Sequence, residues 1–242
     1  MSEITSEAKI EHAPDVKEAL AGLARVASME VEPVSHHYIV LSFLYPWMEK
    51  IALPSAHGVM LDYGCGGQPY RTMFETKVSR YIGADVAAAA NTKLDVEFQP
   101  GRPLPLDAST IDTVLSTQTL EHVPDAYSYL AECNRLLKAD GTLILTAPMQ
   151  WRHHEVPFDF LRFTKYGLIH LLKQHGFEVE RMDQCGGVYA LLGQIFLSHL
   201  DERGFRKPWL FRRLNRLFLW LDKKYPDCED TINWMCIARK IR

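Results

Sequence analysis

The sequence lacks most of the features that would place a chain outside the ordinary globular class. Cysteine is scarce and unpatterned. Its five residues (Cys65, Cys133, Cys185, Cys228 and Cys236) include no CxxC pair, so neither a disulfide framework nor a structural zinc site is expected. Charge of one sign is missing too. Lys+Arg number 27 against 30 Asp+Glu, a net of −3, which gives no general pull toward nucleic acid. Long hydrophobic runs are absent as well. The most notable uncharged stretch, 184–200, has 17 residues and contains Gln194, Ser198 and His199, so it is short and polar for a bilayer span. The first residues carry Glu3, Glu7, Lys9 and Glu11 where a secretory signal would place basic and then apolar residues. No repeat or low-complexity tract stands out. A soluble, cytoplasmic protein is the expectation.

What is present is ordinary globular material. The chain has 242 residues, 47% hydrophobic and 24% charged, enough for one medium α/β domain with an appendage or two small domains. Residues 1–30 are polar and Ala-rich, with a weakly helical run at Val16, Leu20, Leu23 and Val26. From 35 to 52 the spacing of Tyr38, Leu41, Leu44 and Met48 predicts a helix, kinked at Pro46. The rhythm then changes. Short apolar runs at 58–62, 81–85, 113–116 and 142–146 read as buried strands. A helix between the last two is expected to be capped by Asp125, striped by Ala126, Leu130, Cys133 and Leu137, and ended by Gly141. Thr164 caps another helix, stopped by Gly176, before strands at 177–182 and 232–238. Strands alternating with helices predict a parallel sheet covered on both faces. The expected division is a helical cap over 1–57, a core over 58–186, an insertion of two amphipathic helices over 187–228, and a final core strand over 229–242.

The chemistry gathers at strand ends. The first strand runs into Asp62-Tyr63-Gly64-Cys65-Gly66-Gly67, where glycines let a ligand approach free backbone N–H groups. Asp85 ends the second strand, 23 residues after Asp62, where a carboxylate can accept both hydroxyls of a ribose. A dinucleotide would want a third glycine at position 69, which is Pro69. The turn therefore suits an adenosine ligand without a diphosphate, and S-adenosylmethionine fits, with Asp62 available to its ammonium.

These motifs, in their order, resemble the class I S-adenosylmethionine-dependent methyltransferases, in particular the type 11 group. Asp62–Gly66 is similar to the family's first motif and Gly83-Ala84-Asp85 to its second. Leu104-Pro105-Leu106-Asp107 with Ile111-Asp112-Thr113-Val114 resembles its LPF…FDxV stretch, Leu120-Glu121-His122-Val123 its LEHV signature, and Arg135–Gly141 its RxLKPGG. Gln68 departs from a position that is often glycine. The resemblance spans 59–184 and implies a Rossmann-like seven-stranded α/β sheet with an antiparallel last strand. It also implies S-adenosylmethionine as cofactor (S-adenosylhomocysteine as product), held by Asp62, Gly64, Gly66, Asp85, Thr117 and Gln118, with Asp95 facing the adenine amine.

A second constellation follows the fifth strand, from Trp151 to Thr164, and is similar to a stretch of bacterial methyltransferases associated with glycans. Losing a hydroxyl proton during methyl transfer calls for a base, and histidine titrates near neutral pH. His154 is the expected base, then His153 or His122, with Glu155 or Asp159 orienting an imidazole. Trp151, Asp159, Arg162 and, from the N-terminal helix, His37 are the expected substrate contacts. The HHE run at 153–155 makes an awkward metal set, and no metal is expected. The leading reading is methyl transfer to a hydroxyl of a small molecule or glycan. An amine acceptor, or a non-catalytic partner subunit of the same fold, are the alternatives. Finally, 204–224 carries seven basic residues and one acid, with apolar residues at 3–4 spacing. It is expected either to pack on the core or a second copy in a homodimer, or to touch the inner face of a membrane peripherally.

Overall fold

The computed structural model describes residues 32–88 and 93–241. The helical run expected around Val16–Val26 lies outside them. Seven strands form one sheet: β1 (Val59–Tyr63), β2 (Arg80–Asp85), β3 (Val96–Glu97), β4 (Ile111–Thr117), β5 (Leu137–Pro148), β6 (Phe177–Gln184) and β7 (Asn233–Lys240). Their order is β3-β2-β1-β4-β5-β7-β6. β1 to β5 pair in parallel, and β7 runs antiparallel to both β5 and β6. The sheet order reverses between β1 and β4, and the carboxyl ends of these two strands open a crevice, the place where open α/β sheets take ligands.

Side-chain alternation fixes which face each residue serves. Leu61, Val114, Leu143, Leu145 and Cys236 point to one core, while Met60, Leu115, Ile144, Met235 and Ile237 point to the other. Full burial of each such side chain contributes roughly 1.5–3 kcal/mol, so a one-residue slip in any of these strands would exchange the two sets.

Helix α1 (Tyr38–Trp47) covers the second face with Ile39, Val40 and Leu44. It contains Pro46 and passes into a wider π turn over Met48–Ala52, as expected where a residue without an N–H interrupts the ladder. A four-residue α2 (Arg71–Phe74) follows the glycine turn. Helix α3 (Ala126–Leu136) begins at Asp125, which accepts from the Ser128 N–H at 3.0 Å. Its end differs from the expectation. The helix stops five residues before Gly141, because Leu137 is already extended and pairs with Ile111 as the first residue of β5. Helix α4 (Lys165–Gln174) is capped by the Thr164 hydroxyl, which accepts from Gly167 N–H at 3.1 Å, and the chain turns at Gly176 with φ +76°. Between β6 and β7 stand α5 (Val188–Glu202) and α6 (Pro208–Lys224). Gly193 of α5 lets the two helices meet, since a Cβ there would lie 2.5 Å from the Phe218 ring.

Candidate functional site

A cavity of about 880 Å³ opens at the carboxyl ends of β1, β2, β4 and β5. On one side lies the glycine turn after β1. Gly64 has φ +83° and Gly66 φ +52°, conformations that favour residues without a Cβ. A Cβ on Gly64 would also lie 2.3 Å from the Thr119 methyl group. Asp85 closes this side. One carboxylate oxygen accepts from Gly66 N–H at 2.8 Å and the other from Val86 N–H at 2.7 Å. Asp85 thus pins the glycine turn and lines the cavity beside it. Thr117 and Gln118, at the end of β4, line the floor; Gln118 sits at φ +50° and its amide donates to the Thr146 hydroxyl at 2.9 Å.

The opposite wall comes from elements distant in sequence. Val40, Leu41, Leu44 and Tyr45 of α1 face Trp151 and Phe158 from the segment after β5. His37, just before α1, stacks on Trp151 with ring centroids 5.9 Å apart. Burial, with the neighbouring His36 charge adding to it, lowers its pKa to about 4, so His37 is neutral across the physiological range.

His122 and His154 meet at the base of this wall, with ring centroids 4.6 Å apart at 71°. His122 Nδ1 lies 2.7 Å from the Phe158 carbonyl, and His154 Nδ1 lies 3.2 Å from the Arg152 carbonyl. A carbonyl only accepts, so each Nδ1 carries a hydrogen, and His154 in its neutral form keeps its lone pair on Nε2. Burial, then the His122 charge, depress the His154 pKa, which keeps that lone pair available at neutral pH. Behind the histidines sits Glu121, fully buried, with neither carboxylate oxygen hydrogen-bonded. Its Oε1 is 4.0 Å from His122 Nε2, and burial lifts its pKa to about 8. Glu121, His122 and His154 are the grouping of described residues whose donor atoms, all within 4.8 Å of one another, could share a metal ion. The HHE run at 153–155 makes no such group among those residues.

Several residues singled out by sequence stand elsewhere. Asp62 does not line the cavity: it lies beneath the floor and accepts from the Tyr81 hydroxyl, because its position in β1 points it into the packed sheet. Burial raises its pKa to about 7. Asp95 is likewise outside. Its carboxylate accepts from Gly83 N–H at 2.8 Å and from Arg71 at 3.1 Å, tying β2 to the turn after it. His153 points to solvent with a side chain 89% exposed. Asp159 and Arg162 brace the loop: two hydrogen bonds of 2.6 and 2.8 Å join them, and Arg162 also donates to the Trp151 and Arg152 carbonyls. Against the upward push of burial, the Arg162 hydrogen bonds and charge hold the Asp159 carboxyl down at about 2. Gly64, Gly66, Asp85, Thr117, Gln118, His122, Trp151, His154, Glu155 and His37 do converge on the cavity.

A seven-stranded sheet of this order, with a glycine turn, a carboxylate and a crevice at its switch point, is built to take a ligand at its strand ends. The comparisons say which proteins it resembles. Residues 61–145 match the family model described as a methyltransferase domain. A probable S-adenosylmethionine-dependent methyltransferase of Mycolicibacterium smegmatis is 26% identical over 64% of this chain and 63% of its own. A ubiquinone biosynthesis O-methyltransferase of Ruegeria sp. is 25% identical over 64% of this chain and 66% of its own. The aligned part is thus just under two thirds of these relatives' length. Among solved structures, the [4+2]-cyclase SpnF superposes with TM-score 0.56 at 16% identity, covering 94% of this chain and 92% of that one. A methyltransferase from Archaeoglobus fulgidus gives 0.54 at 14% identity, covering 85% and 95%. The chain is thus similar to the S-adenosylmethionine-dependent methyltransferases, with a methyltransferase domain of the type 11 group matched over 61–145.

Proposed function

We propose that the protein transfers a methyl group to a hydroxyl of a small molecule, with His154 taking the hydroxyl proton. The observation that carries this reading is the pair of imidazoles fixed through Nδ1 by backbone carbonyls, both lining a cavity that also holds the glycine turn.

The residues fit the family's cofactor. Gly64 and Gly66 carry the backbone past the cavity at positive φ, Gly64 packed against Thr119, and Asp85, which holds that turn, lines the same cavity where a ribose diol would lie. S-adenosylmethionine, when bound, supplies a methyl on a sulfonium, and displacement on that carbon asks the protein mainly for alignment. The wall of α1 with Trp151 and Phe158 presents apolar and aromatic surface to an acceptor ring, phenolic or sugar. Asp159 and Arg162 hold the loop that carries Trp151 and His154. The bare Nε2 receives the proton, and the Arg152 carbonyl supports the resulting imidazolium at Nδ1. The relatives named as O-methyltransferases support oxygen as the accepting atom.

The test is mass spectrometry over a panel of phenolic, sugar and amine acceptors, with the wild type and His154→Ala. A methyl gain on a hydroxyl that collapses in the variant is expected. Methylation of amines that is indifferent to the substitution would overturn the oxygen reading.

A further inference from the structure

We propose that the outer face of α6 docks on an anionic membrane surface. This rests on the geometry of that helix and on its charge, independently of the reaction assigned above.

The sequence pattern alone left one apolar stripe on this helix, but the structure divides it. Phe211 and Asn215 are buried, with Leu214 and Phe218 half-buried against the second core. Asn215 donates to the carbonyls of Pro33 and Ser35, at 2.8 and 3.0 Å. The inner face is therefore packed on the domain, and through the Asn215 amide nitrogen it grips the segment that leads to His37 on the cavity wall, although Asn215 Oδ1 itself finds no partner. On the outer face Trp209, Leu217 and Trp220 remain 59, 46 and 53% exposed. Positions 209, 213, 216, 217, 220 and 224 fall on one side of a helix, so the two tryptophans bracket Leu217 along three turns, roughly 16 Å. Cations stack on both rings: Arg213 lies 5.5 Å from the Trp209 ring centre and Lys224 4.8 Å from that of Trp220.

The charge is as one-sided as the shape. Residues 204–224 carry a net of +6 in a chain of −3. The single acid, Asp222, is turned inward and accepts from the N–H groups of Gly187 and Ala190 at the start of α5. Arg206 is paired with Asp201. Among the described residues, Lys207, Arg212, Arg213, Arg216, Lys223 and Lys224 have no acidic partner. A second copy of the chain would bring this same cationic stripe against itself, which like-charge repulsion opposes. The outer face thus sets Arg213, Arg216 and Lys224 around exposed tryptophans, and whatever covers it has to meet both aromatic surface and positive charge. An anionic lipid surface satisfies both features, since tryptophan settles at the headgroup level and arginine and lysine meet the lipid charge. No helix among the described residues is long and apolar enough to cross a membrane, so the contact is peripheral.

The test is co-sedimentation of the full chain with vesicles of phosphatidylcholine alone and with added phosphatidylglycerol. Binding to the anionic vesicles at low salt, weakened as salt is raised, is the expected result. The Arg213→Glu, Arg216→Glu double variant should lower partitioning roughly 10²–10³-fold, and Trp209→Ala with Trp220→Ala should lower it to either vesicle. Retained S-adenosylhomocysteine binding and an unchanged melting curve would show that the variants fold. No binding at low salt, or equal binding to neutral vesicles, overturns the proposal. So does a concentration-dependent dimer that these substitutions abolish, which would give the face to a second copy.

Discussion

A buried carboxyl with no hydrogen-bond partner makes stability depend on pH in a calculable way. Burial lifts Glu121 from an ordinary 4.5 to about 8. Between those values the folded protein holds a proton that the unfolded chain has released, so stability must fall as pH rises through that window. About 3.5 units at about 1.4 kcal/mol each sets an upper limit of about 5 kcal/mol, fully felt above pH 8. Glu121→Gln replaces the carboxyl with a neutral group of the same shape and removes this dependence. Denaturant unfolding followed at pH 5 and at pH 9 reads it out. The variant should lie within about 1 kcal/mol of wild type at pH 5 and be more stable by a few kcal/mol at pH 9. An equal difference at both pH values would show that Glu121 ionises normally in the fold and would sink the reasoning. Asp62, lifted from 3.8 to about 7 by burial, adds a second fall at lower pH that Glu121→Gln leaves intact.

The base assignment predicts that His154→Ala lowers turnover about 10²–10⁴-fold while cofactor affinity holds, whereas wild-type activity at neutral pH would exclude it. The same assignment predicts that turnover survives exhaustive chelation, and activity restored only by added zinc would instead make Glu121, His122 and His154 cation ligands. Gly64→Ala should weaken S-adenosylhomocysteine binding and destabilise the fold by about 1–2 kcal/mol through the positive φ alone, with the Thr119 clash on top; a variant melting like wild type would contradict the turn geometry. Asp159→Asn should cost activity through loosening of the loop, and its carboxyl, held at about 2, predicts that the Arg162 pair breaks only as pH falls from about 4 to about 2.

The fold was legible where local chemistry decides it. The Asp125 and Thr164 caps, the apolar strands and the acid at the end of β2 are each signalled by residues beside the feature they control. The end of α3 was not, because the pairing of Leu137 with Ile111 is a contact between residues far apart in sequence, and it outweighs the glycine signal at 141. The site shows the same boundary. Glycine and aspartate positions near strand ends were readable, but which carboxylates reach the cavity depends on side-chain direction. Asp62 and Asp95 were read as cofactor contacts, and pairing with Tyr81 and Arg71 draws them away. Glu121 lay in plain view within the LEHV motif, yet its role as an unpartnered acid emerges only when His154, 33 positions later, packs over His122. The apolar stripe of α6 was visible as a period, while its division between an inner and an outer face required the partner helix.

The central claim, that the crevice between β1 and β4 holds the methyl donor, is tested most directly by calorimetric titration of S-adenosylhomocysteine into the wild type and Asp85→Ala. The carboxylate of Asp85 holds the glycine turn through Gly66 and Val86 and lines the cavity, where the proposal has it accept from two ribose hydroxyls. One site per chain is expected for the wild type. Losing a pair of charge-assisted hydrogen bonds, about 1.5–3 kcal/mol, should weaken binding by about 10- to 150-fold in the variant. Absence of binding to the wild type, or equal affinity in both proteins, would contradict the assignment.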